Sequence, residues 1–340
     1  MNSWQEDFKS AIKNHHDLEL FLDTKIPHTN FKSFLPIPFL NKIKKSGPDS
    51  PLWKQFIPSD SENSSSGLKD PIGDQKYLVT KNLIHRYENR ALLIPTTICP
   101  VSCRYCFRKN ELEASDAVFK ADLQNSLAYL KAHPEINEVI LTGGDPLILS
   151  NEKLHEIILE LKAIPSIKFL RIHTRTPIIL PNRIDSGLIE VLNLAKTYFS
   201  QVALMIHTNH VDEIDLAVES AIKNLKAAEI LLFSQTVLLK NINLNTTDLI
   251  NLFTKLTTLG VIPYYLHHPD QALGTEHFQM SLEEGRTIYA QLRKKLSGWM
   301  IPEYIIDIPE GHGKVSAFNP EGIKFNGELL DINGKMIRIL

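Results

Sequence analysis

All three cysteines of this chain lie within one stretch of eight residues, at Cys99, Cys103 and Cys106. The spacing C-x3-C-x2-C supplies three thiolate ligands, one fewer than a closed tetrahedral zinc site or a four-thiolate cluster requires. A [4Fe–4S] cluster held by three cysteines has one open iron, which can bind and activate a small molecule. The spacing therefore predicts such a cluster. The alternatives are zinc completed by a distant histidine, and buried cysteines without a ligand role.

Composition indicates a globular chain with a sizeable core. It has 340 residues, of which 43% are hydrophobic and 22% charged, and its formal net charge is −2. This charge gives no field that would attract nucleic acid or a membrane surface. The sequence contains no run of about 18 apolar residues, and its first residues lack the layout of a secretory signal. With no cysteines left for disulfides, we expect a cytoplasmic protein without nucleic-acid or membrane partners.

Short apolar runs alternate with longer helix-like segments after residue 90. The strand-like runs are 91–95, 138–142, 168–174, 201–207, 230–239, 261–267 and 303–308. The helix-like segments are 122–132, 151–163, 188–198, 212–228, 247–259 and 281–296. This alternation predicts an α/β fold with a parallel sheet, a partial (β/α)6 TIM-like barrel. We divide the chain into an N-terminal helical extension (1–84), the core barrel (85–318) and a short β-rich C-terminal tail (319–340).

Chemically active residues follow or end several of these runs. The cysteine loop follows the first run, Gly143-Gly144-Asp145 the second, and Asp270 the sixth, while His207 ends the fourth and Gln235 lies in the fifth. In a parallel barrel, residues at the C-terminal ends of the strands meet and form the active site. We therefore predict a single site there.

The cysteine motif, with Tyr105 just before its last cysteine and directly after the first strand, resembles the radical S-adenosylmethionine (SAM) superfamily. The resemblance implies a radical SAM barrel in which Cys99, Cys103 and Cys106 bind the cluster and the open iron binds SAM. It implies that Tyr105 lies against the adenine. It also implies an electron donor such as flavodoxin or ferredoxin, which reduces the cluster so that SAM is cleaved to a 5′-deoxyadenosyl radical.

The second-strand motif and one histidine complete the predicted SAM site. Gly143, Gly144 and Asp145 resemble the superfamily motif whose backbone and acidic group meet the methionyl ammonium. Glycines suit a backbone that must approach a ligand closely. We count His207 among the cofactor-binding residues as well.

From about residue 85 to residue 317 the sequence resembles the lysine 2,3-aminomutase family, which combines the radical with pyridoxal phosphate. The segment from Asp307 to Lys314 resembles the family's Asp-x-Pro, glycine-rich segment, which ends in the catalytic lysine that binds this cofactor. Lys314 is therefore the implied catalytic residue. Glu310 and His312 stand where the family has glycine.

The same resemblance implies further cofactor and substrate ligands. Arg86, Tyr87 and Arg90 lie in a segment that resembles the family's cofactor-binding segment, and Gln235 joins them. The implied substrate is L-lysine: Arg108 would hold the carboxylate through a bidentate contact, and Asp270 and Asp307 would hold the ε-ammonium. Two neighbouring carboxylates repel each other unless a cation lies between them, which favours a substrate with a cationic side chain.

Three features resemble the bacterial branch of the family that serves elongation factor P. They are the short sequence of 26 residues after Lys314, the Tyr264-Tyr265-Leu266-His267 stretch before Asp270, and the segment 70–74. In that branch a ligase related to lysyl-tRNA synthetase attaches β-lysine to the elongation factor. The alternative is a free-standing lysine 2,3-aminomutase of lysine metabolism or osmolyte synthesis. The oligomeric state stays open, a homo-oligomer being one possibility.

Overall fold

One ten-stranded sheet, whose strands follow one another in chain order, dominates the structure. This computed structural model describes residues 3–63, 66–110 and 119–318, and the strands at 328–330 and 336–338. The strands of the sheet are β1 (Leu78–Thr80), β2 (Leu83–Tyr87), β3 (Arg90–Thr96), β4 (Glu138–Gly143), β5 (Phe169–Thr174), β6 (Gln201–His207), β7 (Leu231–Val237), β8 (Ile262–His267), β9 (Glu303–Ile308) and β10 (Gly313–Ser316). A separate antiparallel pair is formed by β11 (Glu328–Leu330) and β12 (Met336–Arg338).

The seven strand-like runs predicted from the sequence coincide with β3 to β9, which are all parallel. β4 is buried on both faces from Val139 to Thr142, as expected for a parallel strand between helices and a core. Strands β1, β2 and β10 add antiparallel edges. Six strand–helix units followed by β9 confirm the predicted partial barrel. The division of the chain at residues 84 and 318 stays a prediction.

Eleven helices lie before, between and outside these strands in the described ranges. They are α1 (Trp4–Lys9), α2 (His15–Leu22), α3 (Ile37–Ser46), α4 (Pro51–Phe56), α5 (Phe119–Ala132), α6 (Asn151–Lys162), α7 (Thr176–Ile179), α8 (Ser186–Tyr198), α9 (Leu216–Ala227), α10 (Thr246–Thr258) and α11 (Leu282–Lys295). Ser150, Asp185, Asp215 and Ser281 cap α6, α8, α9 and α11 by accepting backbone N–H groups. None of the helices described is long and apolar enough to cross a membrane.

The two ends of the sheet approach each other where β2 contacts β9 and β10, and we call this place the seam. The backbone N–H of Lys314 on β10 donates to the hydroxyl of Tyr87 on β2 over 3.0 Å. Arg86 Nη1 on β2 lies 4.0 Å from Asp307 Oδ1 on β9. No backbone ladder joins β1 to β10 among the strands described. The barrel is therefore open at the seam, and the seam brings the predicted catalytic lysine to the predicted cofactor segment.

Candidate active site

The cysteine loop leaves the C-terminal end of β3 and is fixed by the N-terminal part of the chain. The backbone N–H of Ser102 donates to the Phe34 carbonyl, and that of Arg104 to the Gln55 carbonyl, both over 2.9 Å. All three cysteines line one cavity of about 250 Å³. The predicted ligands are therefore brought together by the backbone around them.

Burial makes the thiolate form of these cysteines costly. It raises the pKa of Cys106 to about 12 and also raises the pKa values of Cys99 and Cys103. Thiolates in this cavity need bound metal, and three of them around one space suit a [4Fe–4S] cluster.

The glycine pair at the end of β4 packs directly against the end of β3 and the start of the cysteine loop. The N–H of Gly144 donates to the Thr96 carbonyl over 2.9 Å, and that of Asp145 to the Ile98 carbonyl over 2.8 Å. Gly143 has φ +103°, and a Cβ on Gly144 would lie 2.2 Å from the Ile98 carbonyl oxygen. Only glycine permits this approach.

The carboxylate of Asp145 joins the ends of β4 and β5. Its Oδ1 accepts from Thr174 Oγ1 over 2.7 Å and from the Leu147 N–H over 3.1 Å. Its Oδ2 accepts from the N–H groups of Arg175 and Thr176 over 2.6 and 2.9 Å. Asp145 lines the cysteine cavity, but its oxygens are engaged within the protein. Its predicted contact with the methionyl ammonium stays a prediction.

Tyr105 and His207 form one side of the cysteine cavity. A hydrogen bond of 2.7 Å joins the Tyr105 hydroxyl to His207 Nε2, and the two rings are stacked with centroids 5.7 Å apart. Burial and the nearby charge of Arg175 hold the pKa of His207 well below its usual value, so the imidazole is neutral at pH 7. The pair gives the cavity an uncharged aromatic side, which suits the predicted position of an adenine ring.

A second cavity of about 560 Å³ lies along the inner face of the barrel from β2 to β8 and is rich in cationic side chains. Arg86, Arg90 and Arg171 line it, and the carboxylate of Glu138 pairs with Arg171 over 2.7 Å. The Nε atoms of Arg86 and Arg171 are buried and have no hydrogen-bond partner in the part of the chain that is described. Buried guanidinium groups with unused donors around a cavity fit a phosphate.

The other predicted cofactor residues line the same inner cavity. Tyr87 packs its ring 3.9 Å from the guanidinium carbon of Arg90. Gln235, Lys314 and His173 line both cavities and so lie where the two meet. The structure thus brings Arg86, Tyr87, Arg90, Gln235 and Lys314 to one space beside the cysteine cavity.

Lys314 places its ammonium group on a buried carboxylate. Its Nζ lies 2.8 Å from Oδ1 and 2.6 Å from Oδ2 of Asp307. Burial and the charge of Asp307 together raise the pKa of Asp270 to about 7, although Lys314 lowers it. The two predicted aspartates therefore interact electrostatically, and a cation lies at one of them.

Of the two residues that replace a family glycine in the turn before Lys314, the backbone conformation readily accommodates one, His312. Glu310, Gly311 and Gly313 have φ values of +62°, +84° and +87°, in the region that favours glycine. His312 has φ −70°, which any residue adopts. Glu310 is therefore the replacement that costs backbone strain.

Sequence reasoning missed three residues of this site. Asp74 is buried and accepts hydrogen bonds from Arg86 over 2.8 Å and from Arg108, so it fixes the two guanidinium groups relative to each other. Asp74 lies in the segment 70–74, but its contacts with Arg86 on β2 and with Arg108 in the loop after β3 depend on the fold and not on that local sequence. In contrast, His173 is the last residue but one of β5 and Arg175 follows the strand, so the rule applied to the other strand ends would have found them.

Comparison with known proteins agrees with this geometry. Residues 93–253 match the Radical SAM superfamily. A barrel of parallel strands with three cysteines after the first of them, β3, together with this match, defines a radical SAM enzyme. The class implies a [4Fe–4S] cluster and SAM, which confirms those two predicted cofactors.

Three relatives named L-lysine 2,3-aminomutase identify the family within this class. The Escherichia coli K12 protein is 38% identical over 276 residues, which are 81% of this chain and 80% of the relative. The Haemophilus influenzae protein is 37% identical over 319 residues, covering 90% and 93%. The Buchnera aphidicola protein is 33% identical over 323 residues, covering 92% and 94%. The chain belongs to the L-lysine 2,3-aminomutase family of isomerases, which confirms the resemblance.

Proposed function

We propose that this enzyme isomerises L-α-lysine to β-lysine, moving the α-amino group to Cβ, with the cluster, SAM and pyridoxal phosphate. The names of its relatives support the reaction. The observation that carries the proposal is the ammonium group of Lys314 on Asp307, beside Asp270, at the junction of the two cavities. A pair of acidic side chains there favours a cationic substrate, because an anionic one would be left unpaired.

The inner cavity fits pyridoxal phosphate. Lys314 would bind its aldehyde, and Arg86, Arg90, Tyr87 and Gln235 would hold the phosphate and ring. The cluster with SAM supplies the radical that removes a hydrogen atom from lysine, and pyridoxal phosphate carries the migrating amino group. The protein's part is to hold the reacting atoms close together and to keep other hydrogen donors away.

The electrostatics of the substrate pocket support lysine. If the Lys314 amine were bound to the cofactor, Asp307 would keep only the more distant guanidinium of Arg86, 4.0 Å away. The ε-ammonium of a substrate lysine could then take the place of the Lys314 ammonium, and pairing this buried carboxylate more closely would favour substrate binding. Arg108 is buried and oriented by Asp74, which suits a bidentate contact with the substrate carboxylate.

Lysine use should depend on the ionisation of Asp270. Because its pKa is raised to about 7, Asp270 becomes protonated as the pH falls below that value and then no longer attracts an ammonium group. We expect kcat/KM for lysine to fall as the pH drops through about 7 and to level off near the value of Asp270→Asn, in which this side chain is always neutral. Initial rates between pH 6 and 8 measure this, and in Asp270→Asn the dependence should flatten. A wild-type profile that is already flat would contradict the assignment.

The reaction itself can be tested with the anaerobically reconstituted enzyme. We expect dithionite, SAM and pyridoxal phosphate to support conversion of α-15N-labelled L-lysine to β-lysine that retains the label, and L-glutamate to be inert. Mass spectrometry and NMR identify the product. An enzyme with full iron content that cleaves SAM but forms no β-lysine would overturn the proposal.

We further propose that the β-lysine serves elongation factor P in the cytoplasm, through a ligase related to lysyl-tRNA synthetase, and that a flavodoxin or ferredoxin reduces the cluster. The resemblance of the segment 70–74 and of the stretch before Asp270 supports this branch. The mass of elongation factor P from cells with and without the gene is the test. Loss of the β-lysyl group in the deletion, with recovery on complementation, is expected. An unchanged mass would favour the role in free lysine metabolism.

A further inference from the structure

A buried arginine outside the predicted ligand set contacts one of the cluster cysteines. Arg175 follows β5 and is 6% exposed. Its Nη1 donates a hydrogen bond to Cys103 Sγ over 3.1 Å. Its guanidinium carbon also lies 4.7 Å from the ring centroid of Phe56 and 5.4 Å from that of Tyr105, so aromatic rings cover the group. A full positive charge is therefore held next to a cluster ligand, away from water.

A buried polar network fixes the position of this guanidinium. Arg175 Nη2 donates to Glu213 Oε2 over 2.7 Å and to Gln55 Oε1 over 3.2 Å. Glu213 Oε1 in turn accepts from Gln55 Nε2 and from the N–H groups of Asn209 and His210, over 3.1, 2.9 and 3.0 Å. Glu213 and Gln55 are fully buried. The charges of Arg175 and Glu213 are thus paired, and hydrogen bonds hold both groups in place.

The network ties the cluster loop to the N-terminal extension. Gln55 and Phe56 belong to α4, and the backbone carbonyl of Gln55 also accepts the N–H of Arg104 in the cysteine loop. The side chain of Arg104 is held by Glu62, over 2.9 Å from Nε to each carboxylate oxygen. The extension therefore supplies both the backbone support of the loop and part of the shell around Cys103.

We propose that Arg175 is a positioning residue that sets the reduction potential of the cluster, with Gln55 and Glu213 holding it in place. One-electron reduction makes the cluster more negative and adds charge to its thiolates. A guanidinium hydrogen-bonded to Cys103 stabilises that reduced form and makes the potential less negative, as hydrogen bonds to ligand sulfurs do. Glu213 opposes this effect by one negative charge. The electron that reduces the cluster comes from dithionite in a titration and from a low-potential protein donor in the cell.

The proposal depends on the cluster and not on the lysine reaction, so it is tested without SAM, lysine or pyridoxal phosphate. Iron-loaded wild type and Arg175→Gln are titrated with dithionite and redox mediators, and the reduced cluster is counted by EPR. We expect at least a tenfold lower ratio of reduced to oxidised cluster at a fixed potential in Arg175→Gln, or about 59 mV for a one-electron couple. Arg175→Lys, which keeps the charge, should recover most of the difference. Arg293→Gln removes an exposed charge on α11 and should match wild type.

A further variant, Glu213→Gln, separates an electrostatic role of Arg175 from a structural one. Removing the carboxylate leaves Arg175 uncompensated, so the midpoint potential should move in the opposite direction, to a less negative value. This variant also decides the matter if Arg175→Gln fails to retain iron. Midpoint potentials that shift in opposite directions in Arg175→Gln and Glu213→Gln support the proposal. If Arg175→Gln does not retain iron, the shift in Glu213→Gln alone supports it. An iron-loaded Glu213→Gln with an unshifted midpoint, or an iron-loaded Arg175→Gln that titrates like wild type, overturns it.

Discussion

Replacing Lys314 with alanine is expected to abolish β-lysine formation while leaving the cluster intact. The amine that would bind pyridoxal phosphate disappears, so turnover should fall by at least about 10²-fold, because the cofactor is no longer held in place. The visible absorbance of lysine-bound cofactor should be absent from the reconstituted variant. Iron content and the brown absorbance of the cluster should match wild type, because the cysteine loop is fixed by other contacts.

The matched control is Lys295→Ala, which removes an exposed lysine at the end of α11 and should retain both the cofactor absorbance and turnover. A Lys314→Ala enzyme that still shows lysine-bound cofactor would mean that another lysine fills the role. Such a result would contradict the assignment even if the activity were lost.

Asp307→Asn is expected to raise the KM for lysine by about 10²-fold. It removes a buried carboxylate that holds an ammonium group, and breaking such a pair costs about 3 kcal/mol. Asp270→Asn should have a smaller effect, because the raised pKa of Asp270 leaves that side chain partly protonated at neutral pH. Steady-state kinetics with L-lysine, at saturating SAM and pyridoxal phosphate, measure both effects.

Asp49→Asn, at an exposed aspartate outside both cavities, serves as the control and should leave KM unchanged. Retained cofactor absorbance in Asp307→Asn would show that the loss is one of substrate binding. If both variants at 270 and 307 bound lysine as wild type does, the proposed basis for its selection would be wrong.

The barrel and the cysteine site could be predicted because each depends on local pattern. Apolar runs at regular intervals predict β3 to β9, and the three predicted cluster ligands lie within the eight residues Cys99–Cys106. Asp74 and Gln55 could not be predicted in this way. Asp74 accepts hydrogen bonds from Arg86 and Arg108, and Gln55 accepts one from Arg175. Such contacts depend on the tertiary structure, and no local periodicity predicts them.

The hydrogen-bond partners of individual side chains could not be predicted from the sequence either. The Gly-Gly-Asp motif could be placed after the second predicted strand, but only the structure shows that Asp145 is engaged by four donors from neighbouring segments. Likewise, the position of Tyr105 follows from its motif, whereas its hydrogen bond to His207 depends on the approach of β6.

The seam has a consequence for the lysine that lies on it. β10 is four residues long and pairs with β9 alone, and a hydrogen bond to the hydroxyl of Tyr87 ties the backbone of Lys314 to the opposite edge. Small displacements of this strand disturb few backbone hydrogen bonds, whereas the same displacement of an inner strand would break two ladders. Under the proposed reaction, the amine that must exchange its bonding partner in each catalytic cycle therefore lies on a strand held by one ladder, whereas the cysteine loop follows β3, which is held by two.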